Sequence, residues 1–124
     1  TGPRFPDMHE PYAHELIALA DDIAKEKNIK VQHGIYLGDM GPAFETPAEY
    51  RMYRILGADA VGMSTVPEVL VARHCGIKVF GMSIITDLGG FDVPVAVSHE
   101  EVQIAANEAQ PRMTEIMREM IRRS

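Results

Sequence analysis

Between Tyr12 and Lys27 the apolar positions are Ala13, Leu16, Ile17, Ala20, Ile23 and Ala24, with Asp21, Asp22, Lys25 and Glu26 set between them. That spacing follows the helical repeat and predicts an amphipathic surface helix. The stretch "VQHGIYLG" (Val31 to Gly38) is β-branched and aromatic, which predicts a strand. "DMGPA" after it has two helix breakers and no period, and it reads as a loop. At Thr46, "TPAE" is a capping box with Pro47 at the first helical position, so a helix starts there and ends at Gly57, a residue suited to the left-handed position past a helix end. The same signature recurs in "TVPE" (Thr65 to Glu68), opening a helix that stops at Gly76, and in "SHEE" (Ser98 to Glu101), opening the C-terminal segment.

Two stretches share a frame: "GADAVGMS" (Gly57 to Ser64) and "GIKVFGMS" (Gly76 to Ser83). Each is a helix-ending glycine followed by a short apolar strand that closes on Gly-Met-Ser. With the helix Val66 to Cys75 between them they predict a strand, helix, strand unit, and that helix is apolar almost all round, as a crossover helix against a covered sheet should be. The pattern predicts an α/β protein with a mixed, largely parallel central sheet and flanking helices, in a single domain over residues 1–124. Farther on, Val102, Ala105, Ala109, Met113, Ile116, Met117 and Met120 fall at helical spacing with Pro111 among them. Either Pro111 kinks one helix or two helices meet there. The methionine stripe is expected to be core or subunit interface.

Composition narrows the classes. The chain has 124 residues, a hydrophobic fraction of 46% and a formal net charge of -6. A sequence pI of about 5.3 argues against nucleic acid or an anionic membrane surface as partner, since both need a basic face. Apolar runs fall well short of the ~20 residues that span a bilayer, and nothing at Thr1 to Pro11 has the pattern of a signal peptide, so a cytoplasmic protein is expected. The single cysteine, Cys75, can form no intrachain disulfide and is expected to be a small buried apolar side chain. Histidines 9, 14, 33, 74 and 99 make no close metal-ligand set, and there is no nucleophile elbow, Walker loop or dinucleotide fingerprint.

In open α/β sheets ligands bind beyond the carboxyl ends of the strands, which draws attention to Met63 and Ser64 ahead of the Val66 helix. Ser64 is either an ordinary cap residue or, with Thr65 capping, a hydroxyl beside a helix N-terminus that favours an anion. Met63 is either core or contact. Ser83 reads as structural, with "IITD" still to follow. Asp87 closes that second strand, where a carboxylate serves equally as turn residue or ligand group. Glu45 precedes the Thr46 cap and follows Phe44; it either complements the helix dipole or joins the ring in gripping a planar heterocycle. His99 follows the cap Ser98 at the mouth of the last helix, as a solvated side chain or as part of a site.

"GPAFETPAEYRMYRILGADAVGMSTVPEVLVARHCG", followed by "ITD" and "SHEEV", closely resembles the trimeric, low-molecular-mass purine nucleoside phosphorylases. The resemblance runs from about "GPRFPDM" to the last helix and corresponds to the C-terminal part, less than half, of a usual family member. It implies that inorganic phosphate, as co-substrate, attacks C1′ of a purine nucleoside and releases the base and ribose 1-phosphate, with no metal or organic cofactor, in a homotrimer. It implies that Phe44 and Glu45 bind the base, the glutamate accepting from purine N1–H. Met63 packs on the ribose, Ser64 binds phosphate, and His99 bonds the ribose 5′-hydroxyl. Tyr36 matches a tyrosine near the site.

Asp87 departs from the family pattern, because members that take 6-oxopurines usually have asparagine there. A carboxylate accepts from N7–H or a 6-amino group and donates to O6 only when protonated. Glu45 points the other way, since adenine N1 has no proton to give. Inosine and guanosine are therefore the expected substrates. Adenosine or methylthioadenosine phosphorolysis, or nucleosidase action, is the neighbouring alternative, and a non-catalytic nucleoside-binding module is another. The family's Gly-rich serine loop, its phosphate-binding arginine and histidine, its other ribose-site tyrosine and the aromatic lent by a neighbouring subunit have no counterpart in these residues. The 124-residue chain is accordingly expected to be inactive by itself.

Overall fold

Local sequence signals set most of the elements. The computed structural model describes Gly2, residues 4–89 and residues 98–124. In chain order these hold α1 (His14–Glu26), β1 (Tyr36–Gly38), α2 (Pro47–Ile55), β2 (Ala60–Gly62), α3 (Val66–His74) and α4 (His99–Arg123). Their contacts gather into two units, one of Thr1–Gln32, Thr65–Met82 and Arg112–Ser124, the other of His33–Ser64 and Ser83–Pro111. Most of the loop "LGGFDVPVAV" read from the sequence lies outside the described residues.

The first unit is built on the apolar face of α1. Ala20, Ile23 and Ala24 are buried against Ile116 and Met120 of α4, with Leu16, Leu19, Ile29, Val31, Phe80, Met82 and Met117 packed around them. Ile23 and Ile116 are 0% and 1% exposed, and burying each contributes about 1.5–3 kcal/mol. The methionine stripe is thus partly core, through Met117 and Met120. A concave apolar surface on α4 is lined by Met113, Met117 and Ile121 among others.

Several expectations for this unit are corrected. Residues 76–83 belong to no ladder among the described residues, because a parallel strand gets its hydrogen bonds from a neighbouring strand and none is paired with it there. The Val79 carbonyl instead accepts the Ala13 N–H at 2.8 Å, at the start of α1. In α3 only Val69 is buried, while Val71 is 65% exposed, so the apolar circumference read from the sequence is not covered. Cys75, expected to be buried, is exposed beyond the last residue of α3. Of the two readings offered for Pro111, the single helix holds: α4 runs from His99 to Arg123 with Pro111 inside it.

The second unit contains a parallel β-α-β unit, made one helix earlier than the repeated frame suggests. β1 pairs with β2 in the register Tyr36↔Ala60, Leu37↔Val61 and Gly38↔Gly62, and α2 is the crossover. β1 is shorter than the predicted strand: Val31 packs on the α1 core, and the ladder begins at Tyr36. Asp59 fixes the register: its carboxylate accepts the Ile35 N–H at 2.9 Å while its own N–H donates to the Ile35 carbonyl at 2.9 Å. The ladder continues one step as Asp39 N–H donates to Gly62 O at 2.9 Å.

Two of the three predicted capping boxes form. At α2 the Glu49 N–H donates to Thr46 Oγ1 at 3.3 Å and the Thr46 N–H to Glu49 Oε2 at 2.6 Å. At α4 the Glu101 N–H donates to Ser98 Oγ at 3.2 Å, answered by Ser98 N–H to Glu101 Oε2 at 3.2 Å. At α3 the box is absent: Thr65 has φ +73° and ψ −59° and makes no side-chain cap bond. Its backbone is turned away from the extended conformation that a capping hydroxyl needs.

Candidate functional site

Phe44, Glu45, Met63, Ser64, Asp87 and His99 all belong to the second unit. Glu45 owes its placement to helix-end chemistry. Thr46 is the N-cap of α2, so Glu45 is the residue before the cap and Tyr50 is the fourth helical residue. Those two positions face each other at helix starts, where an apolar pair commonly clamps the incoming chain. Here the pair is polar, and the Tyr50 hydroxyl donates to Glu45 Oε2 at 3.0 Å. The capping box fixes the next residue along, and Thr46, first through its hydroxyl and then through its backbone N–H, holds the Glu49 carboxyl below its ordinary pKa.

Tyr50 is the residue that sequence reading missed. Burial pushes its pKa up to about 12, helped by the bond to Glu45 and by the negative charges of Glu45 and Asp87, so it is a protonated donor at neutral pH. Its ring lies against Gly89, where an added Cβ would stand 2.6 Å from ring Cε1. The signal that could have found it is the N′ to N4 spacing of Glu45 and Tyr50 around a capping box.

Asp87 is half-buried and accepts the Thr86 hydroxyl at 3.0 Å. Its negative charge is the weakest of the influences that raise the Tyr50 pKa, after burial and the contact with Glu45. Phe44, next to Glu45, keeps 48% of its surface exposed, and Met63 keeps 44%. Met63 lies over Gly41, whose φ of +64° favours glycine; an added Cβ there would stand 2.5 Å from Met63 Sδ and push that flexible side chain aside. Tyr36 on β1 packs its hydroxyl onto Gly62, leaving no room for a side chain at that position.

Ser64 is exposed and immediately precedes Thr65, whose positive φ is unusual for a β-branched residue. Such a conformation costs on the order of 1–3 kcal/mol and persists where surrounding structure over-determines it, which happens most at ligand clamps. His99 is exposed at the first turn of α4, and its Nε2 lies 3.0 Å from the Gln103 side-chain amide, one turn along the same helix. That contact holds the ring along α4. Among the described residues no group of three or more His, Cys, Asp or Glu side chains is placed to hold a metal ion. No helix among them is long and apolar enough to cross a membrane.

A parallel β-α-β unit with a carboxylate, an aromatic and a serine at its strand and helix ends defines a class. The chain belongs to the phosphorylase superfamily, whose sequence profile matches residues 1–122. Within it, the chain is 50% identical over 101 residues to purine nucleoside phosphorylase 1 of Geobacillus stearothermophilus, covering 82% of this chain and 37% of that protein. The fold is similar to that of the Schistosoma mansoni purine nucleoside phosphorylase bound to inosine, with a TM-score of 0.91 and 40% identity over 97% of this chain and 44% of the other. The same comparison with a complex containing adenosine gives a TM-score of 0.90 and 38% identity, again over 97% and 44%. The chain thus spans 37% of the bacterial relative's length and 44% of the parasite protein's. The expected resemblance and the α/β class both hold.

Proposed function

We propose that the protein containing this chain cleaves purine nucleosides by phosphorolysis: an oxygen of inorganic phosphate bonds to C1′ as the bond from C1′ to N9 breaks, giving free base and ribose or deoxyribose 1-phosphate. The observation that carries this reading is the Glu45 carboxylate, held at one oxygen by Tyr50 beside a half-exposed Phe44, in a chain of the phosphorylase superfamily. Phe44 stacks on the purine and Glu45 accepts its N1–H. Met63 packs on the sugar and His99 bonds the 5′-hydroxyl. Ser64, exposed just past β2, donates its hydroxyl to phosphate.

The chemistry suits these groups. Glycosidic cleavage passes through an oxocarbenium-like sugar while negative charge builds on the departing base. An anion beside the sugar and preorganised partners on the base stabilise that state more than the ground state. No metal or organic cofactor enters this scheme. N7 of the nucleoside carries no proton; as negative charge builds on the departing base N7 takes one from solvent water, and the Asp87 carboxylate accepts a hydrogen bond from the N7–H so formed. We read the working protein as a cytoplasmic homotrimer and the 124 residues alone as inactive. The sequence resemblance to trimeric phosphorylases supports the first, and the two-fifths coverage of the relatives supports the second.

Asp87 favours a second reading, in which a 6-amino group donates to its carboxylate and adenosine is the preferred substrate. One assay separates the two: base release by the full-length protein from inosine and from adenosine, each with and without phosphate. Phosphate-dependent release from inosine is the expected result. Release from adenosine that equals or exceeds it transfers the selecting role to Asp87, and release without phosphate replaces phosphorolysis by hydrolysis.

A further inference from the structure

Glu45 and Asp87 each have one carboxylate oxygen engaged by a hydroxyl: Tyr50 Oη donates to Glu45 Oε2 at 3.0 Å and Thr86 Oγ1 to Asp87 Oδ1 at 3.0 Å. The two contacts differ in kind. Thr86 is the residue next to Asp87 and is tied to it by the chain, whereas Tyr50 reaches Glu45 across the first turn of α2. We propose that Tyr50 is a positioning residue that engages one oxygen of Glu45 and so aims the other, and that through this contact the protein selects purines bearing a proton on N1. The inference rests on the phosphorolysis reading and assigns its 6-oxopurine preference to a residue outside the base-contacting set.

Three features of the placement support it. The capping box holds the backbone on the C-terminal side of Glu45, so the remaining freedom of its side chain is what Tyr50 removes. With Oε2 engaged by Tyr50, Oε1 is the oxygen left to meet the base. An accept-only Glu45 matches N1–H of hypoxanthine or guanine and opposes the lone pair on adenine N1, which is discrimination by an unpaired polar group. The phenol is suited to the task because burial and the two nearby carboxylates keep its proton in place well above neutral pH. Its ring lies against Gly89, where a side chain would collide with it.

The test compares the full-length wild type with Tyr50→Phe, Glu45→Ala and the double variant, using inosine and adenosine with phosphate. Tyr50→Phe keeps the ring on Gly89 and removes only the donor. A charged hydrogen bond lost from the site predicts a fall of about tenfold or more in kcat/KM for inosine, with adenosine changed by less than about threefold. In the Glu45→Ala background the same substitution should change kcat/KM for inosine by less than about twofold, because Tyr50 then has nothing to aim. A merely structural tyrosine would lower both substrates alike and add to Glu45→Ala, and that result overturns the inference. So does an unchanged inosine-to-adenosine ratio in an active Tyr50→Phe, or a Tyr50→Phe that does not fold, since the hydroxyl is then holding the fold. A wild type that releases base from neither nucleoside removes the phosphorolysis reading itself, a result plainly different from active wild type with an indifferent variant.

Discussion

Arg123 grips Glu26, 97 residues away in sequence, through both ends of its guanidinium group, Nη1 to Oε1 at 3.1 Å and Nη2 to Oε2 at 2.7 Å. Its Nε also donates to Glu119 Oε1 at 2.9 Å, and nearby Lys27 donates to Glu115 at 2.9 Å. The contacts tie the end of α1 to the end of α4, alongside the Ile23 and Ile116 core. A planar fork suits this bidentate job where a lysine would not.

The pair predicts a pH effect with a definite sign. Hydrogen bonding to Arg123 lowers the pKa of Glu26 and of Glu119 below the ordinary 4.5. Because the folded-state values are depressed, the unfolded chain binds more protons in that range. The stabilisation is present above pH 4.5 and is lost as pH falls through the lowered values. Arg123→Ala should therefore make thermal stability less steeply dependent on pH on the acid side, with little change in slope near neutrality. Melting temperatures of the full-length wild type and variant across the acid range check it. Arg123 and Glu26 are exposed and Glu119 is half-buried, so high salt should shrink the difference, mainly through the Glu26 pair.

The core beneath that clamp predicts a contrast along one helix. Ile116 is 1% exposed and Ile121, little more than a turn later, is 75% exposed. Ile116→Ala leaves a cavity between α1 and α4 and should lower unfolding stability by about 2–5 kcal/mol, whereas Ile121→Ala should stay within about 0.5 kcal/mol. Denaturant midpoints at unchanged slope give both numbers. Equal losses at the two positions would mean that Ile121 is covered in the intact protein.

Helices and their caps were legible in the sequence because their causes are local. Thr46 with Glu49, Ser98 with Glu101 and the α1 face of Ala20, Ile23 and Ala24 all depend on residues within a turn or two of each other. Strands were less legible. "GIKVFGMS" has the composition of a strand, but strand status is conferred by a pairing partner, and among the described residues it has none. Thr65 failed as a cap because its φ is set by the turn from β2 into α3, which the letters "TVPE" do not reveal. Of the candidate site, spacing beside a cap left the role of Glu45 and Phe44 open and the family resemblance singled them out, yet the hydroxyl bonded to Glu45 comes from a residue read only as part of a helix.

Tyr50 also makes a prediction that needs no substrate. Its pKa is raised to about 12 in the folded protein from the ordinary 10.0, first by burial and then by Glu45 and Asp87. The folded state therefore holds a proton that the unfolded chain releases near pH 10, so this part of the stability is fully present below pH 10 and is lost as pH climbs toward 12. Tyr53 is shifted in the same direction, by burial and by its bond to Asp39. A difference titration of tyrosinate absorbance, wild type minus Tyr50→Phe in the full-length protein, cancels every other tyrosine and should show one phenol ionising far later than a free one. Glu45→Gln removes a negative charge beside that phenol, so its ionisation should move part of the way back while burial and Asp87 hold the rest. If the difference curve instead rises near pH 10, the hydroxyl is in contact with water rather than with Glu45, and the geometry assigned to the base-binding side of the site fails with it.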